Sequence, residues 1–264
     1  QLINKPSNLC LLGIAIKIGK TRLIDHTFLM NRFPIVAIDG PAGAGKSTVT
    51  KAFAKKMGLT YLDTGAMYRA VTWLIKENNI DTFDEMNIAK LLEDINLKLI
   101  VSSSGDQKVF INEKDVTNEI RSPAITADVS TIASHQCVRE KLTSQQKKIG
   151  LKGGLVAEGR DIGTSVFPSA ELKVFLTAST KERAKRRALD LRSRGFKIPD
   201  IVDLEKEIIN RDKLDSSREI SPLLKAKDAK ELITDGMTIN DVVDCLIEMF
   251  RLKVPEEVWP SIKS

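Results

Sequence analysis

The stretch Ile35-Val-Ala-Ile-Asp-Gly-Pro-Ala-Gly-Ala-Gly-Lys-Ser-Thr48 decides the fold of this chain. Its first four residues are apolar and predict a buried strand, and residues 40–47 fit the pattern G-x-x-x-x-G-K-[ST]. In such a loop, glycines let backbone N–H groups approach phosphate oxygens, Lys46 reaches the β- and γ-phosphates, and the Ser47 hydroxyl can ligate Mg²⁺. Apolar residues at helical spacing follow, so a helix should present its positive N-terminal end to the anion. We therefore predict a nucleoside triphosphate site formed by Gly40, Pro41, Ala42, Gly43, Ala44, Gly45, Lys46, Ser47 and Thr48.

The composition of the chain excludes several classes of protein. It has 264 residues, of which 42% are hydrophobic, so it can bury a sizeable core. It contains no run of about 18 apolar residues that would span a membrane. Its three cysteines, Cys10, Cys137 and Cys245, are odd in number and far apart, which suits a reducing cytoplasm. Residues 181–197 hold eight basic and two acidic side chains, which accounts for the whole net charge of +6 and indicates one polyanionic ligand rather than a general nucleic-acid surface.

Short apolar strands alternate with helical segments along the chain. This alternation predicts an α/β fold with a five-stranded parallel sheet flanked by helices. The predicted strands are 35–38, 59–62, 154–157, 172–176 and 231–234. Between the second and third strands, short alternating strands at 97–101 and 108–111 flank a Ser-Ser-Ser-Gly-Asp turn, and helical patterns cover 84–94 and 124–149. We therefore predict an inserted subdomain over about 64–150 that carries a small antiparallel sheet.

The side chains at strand and helix ends narrow the reaction. The chain has no N-K-x-D motif with which a GTPase would read guanine, and only a weak form of the Asp/Glu-ended strand of motor ATPases. It has many arginines instead, and this residue type neutralises phosphates by bidentate contacts and stabilises transition-state charge. These arginines are Arg69, Arg121, Arg160, Arg183, Arg187, Arg211 and Arg218. Because an acceptor phosphate is already anionic at pH 7, they suit phosphoryl transfer to a phosphate without a general base.

The basic segment admits two uses. Over a phosphoryl-transfer site, a mobile helical lid at about 183–200 would bring Arg183 and Arg187 to the transferred group and exclude water. Alternatively, the chain is a nucleotide-dependent switch or binding module that holds RNA on this segment. Phosphate transfer to nucleoside monophosphates would separate the two hypotheses.

Five motifs resemble those of bacterial cytidylate kinases and follow the same order. They are the loop 39–48, Asp63-Thr-Gly-Ala-Met-Tyr-Arg69, Asp115-Val-Thr-Asn-Glu-Ile-Arg121, Glu158-Gly-Arg-Asp-Ile-Gly-Thr-Ser-Val-Phe-Pro168, and Arg211-Asp followed by Asp215 and Arg218. The resemblance covers residues 33 to about 250. It implies the P-loop nucleoside monophosphate kinase fold and a phosphorylation of CMP and dCMP that uses ATP and Mg²⁺.

The same resemblance implies a role for each matching residue. Arg69 would hold the CMP phosphate, and Asp215 would accept a ribose hydroxyl. Thr64, Arg121 and Asp161 would read cytosine, which offers an N4 amino donor and the acceptors N3 and O2. The implied catalytic residues are Lys46, Arg160, Arg183, Arg187, Arg211 and Arg218, with Arg218 also binding substrate and Ser47 binding the metal.

The first part of the chain resembles a different family. Residues 11–25, which include Gly-Lys-Thr-Arg-Leu-Ile-Asp, are similar to the C-terminal end of bacterial pantothenate synthetases. This implies that residues 1–30 are the remnant of an upstream ligase domain, poorly ordered or incidentally packed without it, and that a longer chain also has pantoate–β-alanine ligase activity. We therefore expect a kinase domain over 31–253 and a tail over 254–264. The kinase is expected to be monomeric and cytoplasmic, with ATP and CMP or dCMP as partners and with neither nucleic acid nor membrane.

Overall fold

The computed structural model describes residues 9–101 and 107–260, so the turn predicted at 102–106 lies outside the described residues. The α-helices are α1 (Lys46–Met57), α2 (Thr64–Glu77), α3 (Glu85–Glu93), α4 (Pro123–Ile132), α5 (Gln136–Ile149), α6 (Thr180–Ser193), α7 (Ile201–Ser217) and α8 (Ile239–Arg251). The strands are β1 (Leu9–Ile18), β2 (Thr21–Met30), β3 (Ile35–Asp39), β4 (Thr60–Asp63), β5 (Leu97–Val101), β6 (Gln107–Ile111), β7 (Lys114–Asp115), β8 (Leu155–Gly159), β9 (Leu172–Thr177) and β10 (Lys230–Ile233).

A five-stranded parallel sheet positions the candidate site, with the strand order β10–β9–β3–β8–β4. Every residue of the central strand β3 is buried, as expected for a parallel strand that helices cover on both faces. Its last residue, Asp39, is paired with Gly159 of β8 on one side and Phe175 of β9 on the other. The carboxyl ends of these strands therefore meet at one edge, where ligands bind in open α/β sheets. The predicted five-stranded parallel sheet is confirmed.

Two apolar cores cover the two faces of this sheet, because alternate residues of β3 point to opposite sides. In one core, Phe53 of α1 meets Phe250 of α8 with ring centroids 5.9 Å apart. In the other, Met67 and Ile75 of α2 pack with residues of α4 and α5. This second core continues into the antiparallel sheet β5–β6–β7, where Val109 is fully buried. The inserted subdomain therefore shares its core with the parallel sheet.

Residues 9–30 form a regular hairpin, in a part of the chain that was expected to be poorly ordered or incidentally packed. Strands β1 and β2 pair antiparallel along their whole length. At the base of the hairpin, Leu9, Phe28 and Met30 pack against the core between α1 and α8. The packing of these three side chains joins the hairpin to the sheet domain.

The described end of the chain packs on the same core. Val254 and Val258 are buried, and the Trp259 indole lies 5.5 Å from the Phe250 ring and donates from Nε1 to the Val254 carbonyl (2.9 Å). Residues 254–260, predicted as part of a tail, therefore cover one end of α8. Within 9–101 and 107–260, no helix is long and apolar enough to cross a membrane.

Candidate active site

The glycine-rich loop lies between β3 and α1 and has a backbone that glycine alone accommodates at its first position. Gly40 has φ of +153°, and a Cβ there would lie 2.0 Å from the Leu176 carbonyl oxygen. Gly43 and Gly45 also have positive φ, and Gly45 is the N-cap of α1. The buried Lys46 ammonium donates to the carbonyls of Gly40 (2.7 Å) and Pro41 (2.8 Å). Burial and the nearby Arg160 lower the pKa of Lys46 well below its usual value, so an arriving phosphate would meet an under-compensated cation.

Two side chains beside this loop carry oxygen atoms that could ligate a metal ion. The Ser47 hydroxyl is exposed at the start of α1 and lies near the Glu158 carboxylate, which accepts a hydrogen bond from the Tyr61 hydroxyl. Burial and the nearby Asp63 raise the pKa of Glu158. The described residues contain no group of three or more His, Cys, Asp or Glu side chains that could enclose a metal ion. A hydroxyl and one carboxylate fit Mg²⁺, which keeps several waters and takes further oxygens from substrate phosphates.

A polar pocket lies at the carboxyl ends of β4 and β8 and is walled by α2, α4, α5 and α7. Its lining contains five arginines and two aspartates, an excess of positive charge that suits an anionic ligand. These side chains are Arg69, Arg139, Arg160, Arg211, Arg218, Asp161 and Asp215. Thr64, Tyr68 and Ser130 add hydroxyl groups to the same wall. The pocket therefore holds five of the substrate-binding residues predicted from the sequence, namely Thr64, Arg69, Asp161, Asp215 and Arg218.

The two aspartates of the pocket each hold an arginine in place. The buried Asp161 carboxylate forms an ion pair with Arg139, and Arg218 lies 3.7 Å away on its other oxygen. Asp215 accepts from Arg160 Nε (2.8 Å) and from the Ser130 hydroxyl (3.0 Å). These pairs fix the guanidinium groups before any ligand arrives, which is the pre-organisation that phosphate recognition needs.

The central strand β3 fixes the position of Asp161. The Asp39 carboxylate at the end of β3 accepts from the backbone N–H groups of Ile162 and Gly163, each at 2.8 Å. It thereby holds the single π-helical turn over residues 162–166 that follows Asp161. Burial raises the pKa of Asp39 to about 6 against the opposing effect of these two hydrogen bonds. The glycine-rich loop and the pocket are therefore tied together through one carboxylate.

Asp63 joins two of the predicted substrate-binding arginines. It lies 3.2 Å from Arg69 Nη2 and 2.7 Å from Arg121 Nη2, and its other oxygen caps α2 by accepting from Ala66 N (2.8 Å). Burial would raise the pKa of Asp63, but Arg69 and Arg121 outweigh it and lower the pKa to about 2. Arg121 thus contacts Asp63, whereas the arginine paired with Asp161 is Arg139.

The ion pairs of Asp63 should make stability depend on acid pH. Because its pKa falls from 3.8 to about 2 on folding, its stabilisation is present above pH 4 and is lost as the pH falls through 2. We expect Asp63→Asn, which keeps an oxygen for the helix cap, to lower the free energy of unfolding by about 2 kcal/mol at pH 7 and by much less near pH 2. Urea unfolding at each pH measures the difference.

Asp84→Asn is the matched control for this experiment, since Asp84 caps α3 in the same way but is only partly buried and has no ion-pair partner among the described residues. A loss from Asp63→Asn that stays constant between pH 7 and pH 2 would contradict the assignment.

Arg211 is the least compensated charge of the pocket. Its Nε has no hydrogen-bond partner among the residues described. Burial, followed by the neighbouring Arg160, lowers the pKa of Arg211 to about 9. A group that is desolvated and repelled in this way is stabilised by a phosphate placed beside it.

The basic helix α6 is anchored where a mobile lid was predicted to begin. The buried Arg183 guanidinium donates to the carbonyls of Ala178 (3.0 Å) and Ala42 (3.0 Å) and forms an ion pair with Asp212 of α7 (2.6 Å). A third apolar cluster, made by Ala184, Leu191, Leu204 and Ile208, packs α6 against α7. Arg183, predicted as a lid arginine, therefore contacts the glycine-rich loop and α7 in this structure.

Two further arginines of α6, Arg186 and Arg187, differ in whether they contact the glycine-rich loop. Arg186, which the sequence analysis did not select, donates to the Ala44 carbonyl (3.1 Å) and to both oxygens of Thr234 (2.8 Å each). Arg187 forms an ion pair within its own helix, with Asp190 (3.0 Å), and is near enough to Arg211 to contribute to its lowered pKa. Of the two predicted lid arginines, Arg183 thus contacts the glycine-rich loop, whereas Arg187 pairs within its own helix.

This difference predicts that two matched substitutions in α6 change the free energy of unfolding by very different amounts. Arg183→Met should lower the free energy of unfolding by about 2–4 kcal/mol, because it leaves the Asp212 carboxylate and two carbonyls without their donor. Arg187→Met should change it by less than about 0.5 kcal/mol, since a partly exposed pair within one helix contributes little. Urea unfolding of both variants tests this, and equal losses would contradict the bracing role of Arg183.

The sequence analysis missed Arg139, Ser130 and the bridging role of Asp63. Arg139 lies three residues before the buried Leu142 on the inward face of α5. An arginine in the apolar stripe of an amphipathic helix signals a buried partner. That signal was present but says nothing about which carboxylate the arginine meets.

A phosphate-binding loop after the central strand, facing an arginine-lined pocket at the ends of the neighbouring strands, defines a P-loop kinase, a class of phosphotransferase. A sequence model of cytidylate kinase matches residues 36–252. The chain therefore belongs to the cytidylate kinase family.

Curated relatives are longer than this chain. A bifunctional pantoate ligase/cytidylate kinase of Prochlorococcus marinus is 66% identical over 97% of the chain and 49% of its own length. One from Synechococcus sp. (strain CC9605) is 61% identical over 95% of the chain and 52% of its own length. The chain thus spans about half the length of the curated relatives it matches. Among solved structures, a shikimate kinase from Bacteroides thetaiotaomicron is 13% identical, with a TM-score of 0.44 over 83% of this chain and 99% of that one.

Proposed function

We propose that the chain transfers the γ-phosphoryl group of ATP to the phosphate of CMP or dCMP. The observation that carries this proposal is the position of Arg160. It affects the pKa of Lys46 in the triphosphate loop and forms the ion pair with Asp215 in the pocket. One guanidinium thus lies between the predicted donor and acceptor sites, where charge accumulates during the transfer.

The charges of the pocket account for the chemistry without a general base. The acceptor phosphate is already anionic, so its oxygen can attack without losing a proton. The obstacle is repulsion between two phosphates, which Arg160 and Arg211 reduce, while Arg69 holds the acceptor phosphate in line. Lys46 neutralises the triphosphate, and Arg187 reaches the transferred group from α6. Arg183 assists by holding the phosphate loop in its binding conformation.

Base recognition is assigned to Asp161 with Arg139. The carboxylate accepts from the N4 amino group of cytosine, and the guanidinium donates to N3 or O2. Uracil presents an O4 acceptor where cytosine has its amino donor, so it would place an oxygen against the Asp161 carboxylate and leave buried polar groups unpaired. Ser130 and Asp215 lie beside this pair and are available to the sugar. In this proposal Arg121 acts through Asp63 on the phosphate side of the pocket.

Ser47 and Glu158 would hold the metal ion. Bound Mg²⁺ would neutralise charge on the phosphates of ATP. The Tyr61 hydroxyl, which donates to Glu158, orients that carboxylate. Ser47 is therefore kept as the predicted ligand, and Glu158 is added to it.

A substrate panel tests the proposed function. ADP formation is measured with CMP, dCMP, UMP and AMP as acceptors at equal concentration. We expect CMP and dCMP to react about 10²-fold faster than UMP, because the pocket would have to bury unpaired polar groups with uracil. Equal rates with UMP would overturn the cytosine assignment, and no ADP with any acceptor would overturn the transfer itself.

The alternative of a nucleotide-dependent RNA-binding or switch module is not supported by the family assignment. We propose that the kinase unit is monomeric and cytoplasmic, in keeping with cysteines that are odd in number and far apart in the sequence, and that it acts without nucleic acid or membrane. We propose further that residues 1–30 belong to the junction with a pantoate ligase half in a longer chain, as the names of the curated relatives suggest.

A further inference from the structure

The hairpin of β1 and β2 has one strongly apolar face. Cross-strand partners share a face, so Ile16 and Leu23, which pair directly, lie together. Every second residue from Ile16 then falls on the same side. The large apolar side chains on this side are 49–65% exposed: Leu12, Ile14, Ile16, Ile18, Leu23 and Leu29. We call these six residues the apolar hairpin face.

The opposite face of the hairpin is different in character. Near the base it is covered, since Phe28 and Met30 pack against the core of α1 and α8. Toward the tip it carries the exposed polar or charged residues Lys17, Arg22 and His26, interspersed with the exposed Leu11 and Ile24. The two faces are therefore not equivalent, and only one presents a continuous stripe of large apolar side chains.

Exposure of the apolar hairpin face to water is unfavourable. A two-stranded hairpin is marginal by itself and needs a third strand or a packed layer. No third strand joins β1 and β2 within the part of the chain that the structure describes. Contiguous exposed apolar patches of a few hundred Å² mark interaction sites. Something should therefore cover the apolar hairpin face.

The similarity to related proteins indicates what covers the apolar hairpin face. The cytidylate kinase model begins at residue 36, so the hairpin is not part of the family's shared unit. The bifunctional relatives match 95–99% of this chain, so their similarity includes most or all of the hairpin. Those relatives are about twice as long as the region they share with this chain. The hairpin thus goes with the longer protein and not with the kinase alone.

The size of the face favours a covalently attached partner over a second copy. Ten residues per strand give a ribbon about 34 Å long and about 10 Å wide, or roughly 340 Å². A stable interface between separate proteins buries about 800 Å² on each partner. A domain on the same polypeptide needs less contact, because attachment gives it an effective concentration in the millimolar range.

We propose that the apolar hairpin face docks onto the other half of a longer polypeptide, the half that the bifunctional relatives have beyond their match to this chain. The inference rests on the proposed longer chain, and it assigns the hairpin as the interface between the two halves. Because the opposite face of the hairpin packs on the kinase core, the hairpin would transmit the relative position of the halves.

Hydrogen exchange tests the docking. The complete reading frame that encodes this chain and the 264-residue chain are expressed separately, and amide exchange is compared for 11–18 and 21–29. We expect exchange to be at least about tenfold slower in the complete product. The double variant Ile14→Lys/Ile16→Lys should abolish this protection, whereas Ala15→Lys, on the opposite face of the same strand, should keep it. CMP phosphorylation should be the same in the 264-residue chain, the complete product and both variants, since the hairpin contains none of the site residues.

Several results would overturn the proposal. A reading frame without a further half removes the partner. Equal exchange in the two products, or equal effects of the double variant and Ala15→Lys, removes the interface while leaving the kinase proposal intact. A concentration-dependent dimer of the 264-residue chain that Ile14→Lys/Ile16→Lys dissociates would make a second copy the occupant. Failure of the proposed kinase function would appear separately, as loss of ADP formation with CMP.

Discussion

Arg211→Met is expected to lower kcat for CMP by about 10²- to 10³-fold while raising the melting temperature by about 2–4 °C. The two effects have one cause. Arg211 is half-buried near Arg160 with its Nε unpaired among the described residues, so the folded protein holds this charge at a cost until phosphate arrives. Methionine keeps an unbranched side chain of similar helix propensity and removes the charge, which relieves the repulsion and removes the transition-state contact. Steady-state kinetics and thermal unfolding measure the two effects.

Lys213→Met is the control for this prediction. It removes a positive charge from an exposed position two residues further along the same helix, so it should leave both kcat and melting temperature nearly unchanged. Added CMP should raise the melting temperature of the wild type more than that of Arg211→Met, because ligand binding stabilises by mass action. A drop in melting temperature with normal kcat would show that Arg211 is a structural residue.

Arg139→Met is expected to lower kcat/KM for CMP by about 10²- to 10⁴-fold and to bring the rates with CMP and UMP closer together. The reason is the loss of the guanidinium that donates to the base and orients Asp161. Arg121→Met should raise KM for CMP, because Arg121 acts on the pocket through its ion pair with Asp63. The ratio of kcat/KM for CMP to that for UMP should stay within about twofold of the wild-type ratio. Steady-state kinetics of both variants with CMP and with UMP therefore shows which of the two arginines recognises the base.

Stability must be followed in the same variants. Removing Arg139 leaves a buried carboxylate with only the more distant Arg218, and breaking such a pair costs about 3–5 kcal/mol. Arg139→Lys keeps the charge but not the two guanidinium nitrogens that donate to the Ala133 carbonyl and to Asp161, so it should fold and still discriminate poorly. If Arg121→Met equalises CMP and UMP while Arg139→Lys does not, the assignment made from the sequence is restored and the one made from the structure is wrong.

The motifs of the sequence located the pocket but not its internal pairing. Thr64, Arg69, Asp161, Asp215 and Arg218 were selected and all line the pocket. Arg121 was selected because it ends one of the five motifs, whereas Arg139 lies outside all of them. Only the packing of α5 against the turn after β8 brings Arg139 to Asp161.

The basic helix illustrates the same limit. Eight positive charges in 181–197 indicated a polyanion and a mobile lid, and charge alone cannot separate a brace from a lid. Arg183 and Arg187 are four residues apart on one helix, yet one is buried against the phosphate loop and the other is half-exposed. Burial depends on the position of α7, which the sequence of α6 does not contain.

The sequence by itself determined the central strand, the phosphate loop and the helix that follows it. A loop of this kind is specified by contiguous residues, whose backbone angles and side-chain spacing need no distant partner. The tertiary structure decided which charges face each other: Asp161 with Arg139, Asp63 with Arg69 and Arg121, and Asp215 with Arg160. Such pairs join residues on separate elements, and a buried ion pair exists only where packing removes water and brings both groups within about 3 Å. The pairing therefore follows from how the helices pack on the sheet, and that information is spread over the whole chain.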